Sequence, residues 1–154
     1  MTTSPAHIAT QLRLPYGPRA LAELVADVES YPRFIPWVKA LTLKRERQDG
    51  AAWEGVAEAL VGWKAFLERF ATRVRADPEA GEVDVALVRG PFKSLTNTWR
   101  FRDDGRGGSV VSFDIAYEFK NPILQAVAGM NRERAASKIA AAFEAEARRR
   151  FGAG

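Results

Sequence analysis

From Val38 to Phe119 the apolar residues of this chain recur at every second position, in one run after another, with turn residues between the runs. Side chains alternate between the two faces of a strand, so each such run has one face to bury and one to show to water. Leu41 and Leu43 are followed, after Asp49-Gly50, by Trp53, Gly55, Ala57, Ala59 and Val61. Phe66, Phe70, Thr72 and Val74 continue the pattern up to the turn at Asp77–Gly81. Val83, Val85 and Leu87 form the next run, and Leu95, Asn97, Trp99 and Phe101 follow the Gly90-Pro91 break. Beyond the turn at Asp103–Gly108, Val111, Phe113, Ile115, Tyr117 and Phe119 complete the series. The spacing predicts six successive strands joined as an antiparallel meander.

The flanking segments follow other periods. His7–Leu14 alternates and reads as a strand closed by Pro15-Tyr16-Gly17-Pro18. Leu21, Leu24, Val25 and Val28 then lie at helical spacing within Arg19–Glu29, and Ser30-Tyr31-Pro32 stops that helix. A short segment punctuated by proline, Tyr31–Trp37, leads into the meander. After it, Asn121 is placed to cap and Pro122 to start a helix of about thirty residues. Its inner face carries Leu124, Ala128, Ala135, Ala136, Ile139, Ala142 and Phe143, with Arg132 among them. The expected fold is α+β, a curved antiparallel sheet wrapped around a long C-terminal helix. Its 154 residues form one domain, 1–154, without a composition break or repeat.

Composition then limits the chemistry. With no cysteine there is no disulfide framework, thiolate metal site or cysteine nucleophile. A single histidine, His7, is expected as an exposed strand residue, and no metal-ligand spacing occurs. Gly105–Gly108 lies between strands and opens no helix, so it is a hairpin loop rather than a phosphate cradle. No residue is assigned a catalytic role. The N-terminus lacks a basic start followed by an apolar stretch, and no run of about 18 apolar residues occurs. The expected location is therefore cytoplasmic. The net charge of +4 is unevenly spread: residues 1–119 carry 16 basic and 16 acidic side chains, residues 120–154 carry 7 and 3. Such a basic segment is either a solvated helix face or a meeting place for phosphate groups of lipid or RNA.

The interior admits two readings. Alanines on the long helix, with Gly55, Ala57 and Ala59, stand opposite Trp53, Phe66, Phe70, Trp99, Phe101, Phe113 and Tyr117. Small residues facing aromatic ones either line an apolar ligand cavity or let helix and sheet approach closely in a dense core. Glu68 and Asn97 share the inward parity of their strands, and Arg132 shares the helix's inner face. They form either a structural ion pair or the polar end of a cavity.

Four motifs in order resemble one family. They are Tyr31-Pro-x-Phe34-x-Pro36-Trp37, Glu68-Arg69-Phe70, the strand Gly90-Pro91-Phe92-x-x-Leu95-x-Asn97-x-Trp99-x-Phe101, and Ala142-Phe143-Glu144. The chain resembles the coenzyme Q-binding START-domain group of the polyketide cyclase/dehydrase superfamily, which also includes ribosome-association toxins. Val38 and Ala71 depart from it, where many members carry Cys and Ser or Thr. The resemblance implies a helix-grip (START-like, Bet v 1-like) fold with a tunnel beneath the long helix, and ubiquinone or a related polyprenyl quinone as bound ligand, with no other cofactor. On that reading the tail lies against Phe66, Phe70, Trp99, Phe113 and Tyr117, Trp53 and Ile139 also line the site, Phe34 and Trp37 near the mouth form a lid or touch the bilayer, and Glu68, Asn97 and Arg132 meet the head group. Peripheral contact with the inner membrane and binding to the large (50S) ribosomal subunit are the other partnerships it implies; DNA is not among them. Some superfamily members are cyclases or dehydrases, for which Glu68 with Arg132 is the one titratable pair on offer.

Overall fold

The computed structural model describes residues 6–63 and 66–152, all with side chains except Trp63 and Phe66. The strands are β1 (Ala6–Leu14), β2 (Val38–Asp49), β3 (Ala52–Trp63), β4 (Phe66–Asp77), β5 (Glu82–Arg89), β6 (Phe92–Asp103) and β7 (Ser109–Phe119). They form one antiparallel sheet in the order β1-β7-β6-β5-β4-β3-β2. The meander is thus as the alternation predicts, and β1 joins it beside the last strand, with Ala6 opposite Tyr117 and Leu14 opposite Ser109. Helix α1 (Pro18–Ala26), a 3-10 turn (Val28–Ser30) and the single turn α2 (Tyr31–Phe34) carry the chain from one edge of the sheet to the other. Asp27 leaves helical geometry, so α1 ends earlier than the periodicity predicts. The 3-10 turn keeps Val28 buried, which is why the helical spacing of apolar residues runs on past the break.

One face of the sheet supplies the core. Trp53, Ala57, Val74, Val83, Trp99, Phe101, Val111 and Phe113 are buried there with Leu21, Leu24 and Val25 of α1. The other face is solvated and laced by cross-strand ion pairs: Arg73 with Glu46 and Glu54, Arg100 with Glu82 and Asp84, Arg89 with Glu58. Such exposed pairs add little stability individually, but they account for much of the even charge balance of residues 1–119.

The C-terminal segment differs from the single helix expected. It consists of α3 (Pro122–Met130) and α4 (Arg132–Phe151), broken at Asn131. Asn131 turns its side-chain amide back onto the Val127 carbonyl at 2.8 Å, an interaction that competes with the helical ladder. The preceding Gly129 weakens helix propensity at the same place. The break rotates the two projections apart. Phe143 and Ala147 are buried, Leu124, Ala128, Ala136, Ile139 and Ala142 half-buried, whereas Ala135 and Arg132, expected on the inner face, are exposed. Among the described residues, no helix is long and apolar enough to cross a membrane.

Candidate functional site

In an antiparallel meander alternate strand termini share an end. The starts of β2, β4 and β6 therefore lie with the ends of β3, β5 and β7 and with α3, while the opposite end holds the β2–β3 hairpin and the close of α4. Two aromatic groups occupy the concave face. The inner one centres on Phe143 of α4, whose ring meets Tyr31 at 5.4 Å, Phe34 at 5.4 Å and Trp99 at 5.0 Å, while Trp99 also meets Phe113 at 4.6 Å. The Trp99 indole N–H donates to Asn97 Oδ1 at 2.9 Å, and the Asn97 amide donates to the Asp114 carbonyl at 3.0 Å. Asn97 thus braces Trp99 within the sheet. Tyr31 donates its hydroxyl to the Val25 carbonyl, and burial, with the nearby Asp27 charge, pushes its phenol pKa up.

The second group lies toward the α3 end and is less covered. Phe70 meets Phe92 at 5.7 Å, Phe92 stacks on Phe119 at 4.5 Å, and Tyr117 closes on Phe119 at 5.9 Å. Phe70, Phe92 and Phe119 are only half-buried, as are Val85, Leu87 and Ile115 of the same sheet and Ala128, Ala136 and Ile139 above them. These partly covered side chains make an apolar groove on the concave face of the sheet, beside the C-terminal helices. Tyr117 is buried, donates to the Ala128 carbonyl at 3.2 Å, and has its phenol pKa raised by burial against the opposing charge of Arg132. The Gln125 side chain of α3 accepts from the Phe119 N–H at 2.8 Å. These two bonds fix the underside of α3 to β7.

The groove brings two of the motifs together, Glu68-Arg69-Phe70 and the strand that opens with Gly90-Pro91-Phe92, while Tyr31, Phe34 and Phe143 of the other two meet in the inner group. Gly90 has φ +152, and a Cβ there would collide with Cβ of Phe70. The Gly90-Pro91 turn and the Phe70 Cα and Cβ are therefore fitted to one another, and a side chain would separate them. Gly55, by contrast, does not make room for a ligand: its missing Cβ would meet the Lys44 carbonyl oxygen at 2.5 Å, so the space is already taken by β2.

The predicted contact residues divide accordingly. Phe34, Trp99 and Phe113 belong to the inner group; Phe70 and Tyr117 to the groove; Ile139 half-buried above it. Trp37 is half-buried at the start of β2, its carbonyl accepting from the Gly62 N–H at 2.9 Å. Trp53 lies at the opposite end, beneath the Arg45 guanidinium at 4.5 Å, in a cleft of about 450 Å³ shared with Leu24, Asp27 and Arg150. The Phe66 side chain lies outside the described residues. Glu68 is exposed near the start of β4, opposite Val61, and no hydrogen bond or ion pair joins it to Arg132. The expected Glu68–Arg132 pair is thus not formed, because the helix break carries Arg132 into solvent.

Two groove residues escape the sequence reading. Phe119 closes the alternating run of β7 on the same face as Tyr117, and that shared parity was enough to count it with the expected ligand contacts. Phe92 could not be found that way, since a register shift between Phe92 and Ser94 reverses parity and brings its ring onto the concave face. The charge surplus is also reapportioned. Arg149 and Arg150 both bond Glu146, at 2.6–2.8 Å, Arg150 also reaches Asp27, and Arg148 lies 3.6 Å from Glu144. Among the described residues, Lys120, Arg132, Arg134 and Lys138 have no ion-pair partner, and all are exposed.

Residues 14–144 match the family described as polyketide cyclase / dehydrase and lipid transport. A ribosome association toxin RatA of Pseudomonas aeruginosa is 32% identical over 95% of this chain and 98% of its own length. The mitochondrial coenzyme Q-binding protein coq10 of Schizosaccharomyces pombe is 27% identical over 88% of this chain and 82% of its own. The solution structure of an 18 kDa protein of Caulobacter crescentus superimposes with a TM-score of 0.80 at 44% identity, covering 96% of this chain and 99% of that one. The crystal structure of the Zhui aromatase/cyclase of Streptomyces superimposes at 0.79 with 14% identity over 98% and 99%, a likeness of fold alone.

Proposed function

The chain belongs to the polyketide cyclase/dehydrase and lipid transport family, and from that membership we propose that it binds a lipophilic molecule, a polyprenyl quinone such as ubiquinone, as a carrier supporting respiratory electron transport. The observation that carries this reading is the half-buried row Phe70–Phe92–Phe119, which continues to the buried Tyr117 beneath α3. A solid core would cover these rings; a groove leaves them to be covered by a ligand. Transfer of an isoprenoid tail from water onto them supplies about 25 cal/mol per Å² of apolar surface removed. A quinone carbonyl would reach the Tyr117 hydroxyl by taking over the bond it makes to the Ala128 carbonyl. Binding of a quinone-type ligand is also the activity in the name of the coq10 relative.

Mass spectrometry of an organic extract of the purified chain is expected to show a prenylquinone. An empty extract, together with no uptake of added short-tailed quinone, would overturn the proposal.

A second reading, favoured by the RatA relative and by the unpaired cations Lys120, Arg132, Arg134 and Lys138, is binding to the large ribosomal subunit with block of translation initiation. Cosedimentation with 50S particles that survives moderate salt is its expected result; loss at modest salt would reduce it to nonspecific charge attraction.

A further inference from the structure

Helix α3 carries three of the six large apolar side chains exposed among the described residues. From Pro122 to Met130 it carries no charged side chain, yet Ile123 is 74%, Val127 41% and Met130 86% exposed. These three recur at i, i+4 and i+7, one face of a helix. The opposite face is held down through Gln125 and Tyr117, so the exposed stripe has a fixed orientation away from the sheet. Exposed apolar helix faces of this kind mark a surface with a partner. The cations of the C-terminal segment that have no ion-pair partner lie around the same element: Lys120 just before α3, and Arg132, Arg134 and Lys138 in the first two turns of α4. Glu133 is the acidic residue among them, while Glu118 is 3.5 Å from Lys93.

We propose that α3 is a membrane-docking helix, which inserts Ile123, Val127 and Met130 into the headgroup–acyl boundary of an anionic lipid bilayer while Lys120, Arg134 and Lys138 contact lipid phosphates. The two components, an aliphatic stripe and a collar of cations, are what interfacial binding requires together. A second copy of the chain fits the surface poorly, because a two-fold contact through α3 would bring these cations face to face. RNA would use the cations but gain nothing from Ile123, Val127 and Met130. The inference rests on the carrier reading for its purpose, since the docked helix roofs the groove and sets its opening at the bilayer.

The test is flotation of the full-length, quinone-extracted chain with phosphatidylcholine vesicles containing or lacking phosphatidylglycerol. The wild type is expected to float with the anionic vesicles. Lys120→Gln/Arg134→Gln/Lys138→Gln should weaken partitioning about a hundredfold, and Ile123→Ser/Val127→Ser/Met130→Ser at least about tenfold. All six positions are exposed, and near-ultraviolet circular dichroism verifies the fold of both variants. Because the chain has no cysteine, a spin label on Met130→Cys reports depth: it should lose contact with a water-soluble relaxant on vesicle binding. A label on Gln48→Cys, at the other end of the sheet, should not. Vesicle binding unaffected by both variants, retention by ribosomal particles without vesicle binding, or an oligomer abolished by the serine variant would each overturn the proposal. Quinone uptake is read separately in detergent, so a chain that floats but takes no quinone overturns the carrier reading and leaves docking intact.

Discussion

Glu146 is 5% exposed on α4, and its two carboxylate oxygens are bonded by the guanidinium groups of Arg149 and Arg150. Arg150 continues to Asp27 and to the Ser30 hydroxyl, so one carboxylate anchors the end of α4 to the turn after α1. The hydrogen bond from Arg149 leads in holding the Glu146 pKa down to about 2, against the opposing effect of burial and with help from Arg150. A carboxylate with a depressed folded-state pKa stabilises the fold above its unfolded value, here 4.5, and that stabilisation is lost as pH falls through about 2. Urea denaturation at a series of pH values should show a loss on the order of 2 kcal/mol across this window, reduced from the full shift because Arg149 is largely in solvent. In Glu146→Gln that part of the pH dependence should vanish; an unchanged profile would place the acid sensitivity elsewhere.

At the scale of elements, the turn between β5 and β6 does more than reverse the chain. Gly90 combines a backbone conformation that L side chains rarely adopt with contact against Phe70. Gly90→Ala is expected to cost about 1–3 kcal/mol in backbone strain and to push Phe70 out of its contact with Phe92. Loss of that ring pair should weaken quinone binding more than it lowers the thermal midpoint, measured by titration and by calorimetry on one preparation. The bulge at Phe92 and the break at Asn131 belong to this scale too. Each is a local departure from a period: one brings an aromatic ring into the groove, and the other takes Arg132 out of it.

At the scale of the molecule, a ligand that fills the groove stabilises the folded state by mass action. A short-tailed quinone at about a hundred times its Kd should add about 2.7 kcal/mol and raise Tm by roughly 5–10 °C for a domain of this size. A Tm that does not move with added quinone would exclude tight binding to the native state. The sheet was legible from the chain alone, because strand faces obey a period of two and turn residues mark each reversal; Val83, Trp99 and Phe113 lie buried where that period puts them. Asn121 as N-cap was equally readable, its side chain accepting from the N–H groups of Ile123 and Leu124. Residue periodicity carries no information, however, about a one-residue bulge or a side chain that bonds back onto its own helix. Phe92, Asn131 and the placing of Arg132 were therefore settled only by the tertiary structure. So was the fate of the charge: the chain declares a basic C-terminal segment, but packing ties Arg148, Arg149 and Arg150 to carboxylates and leaves Lys120, Arg134 and Lys138 beside an apolar helix face. Sequence sets which residues are apolar and which are charged; the fold decides which of them remain without a partner.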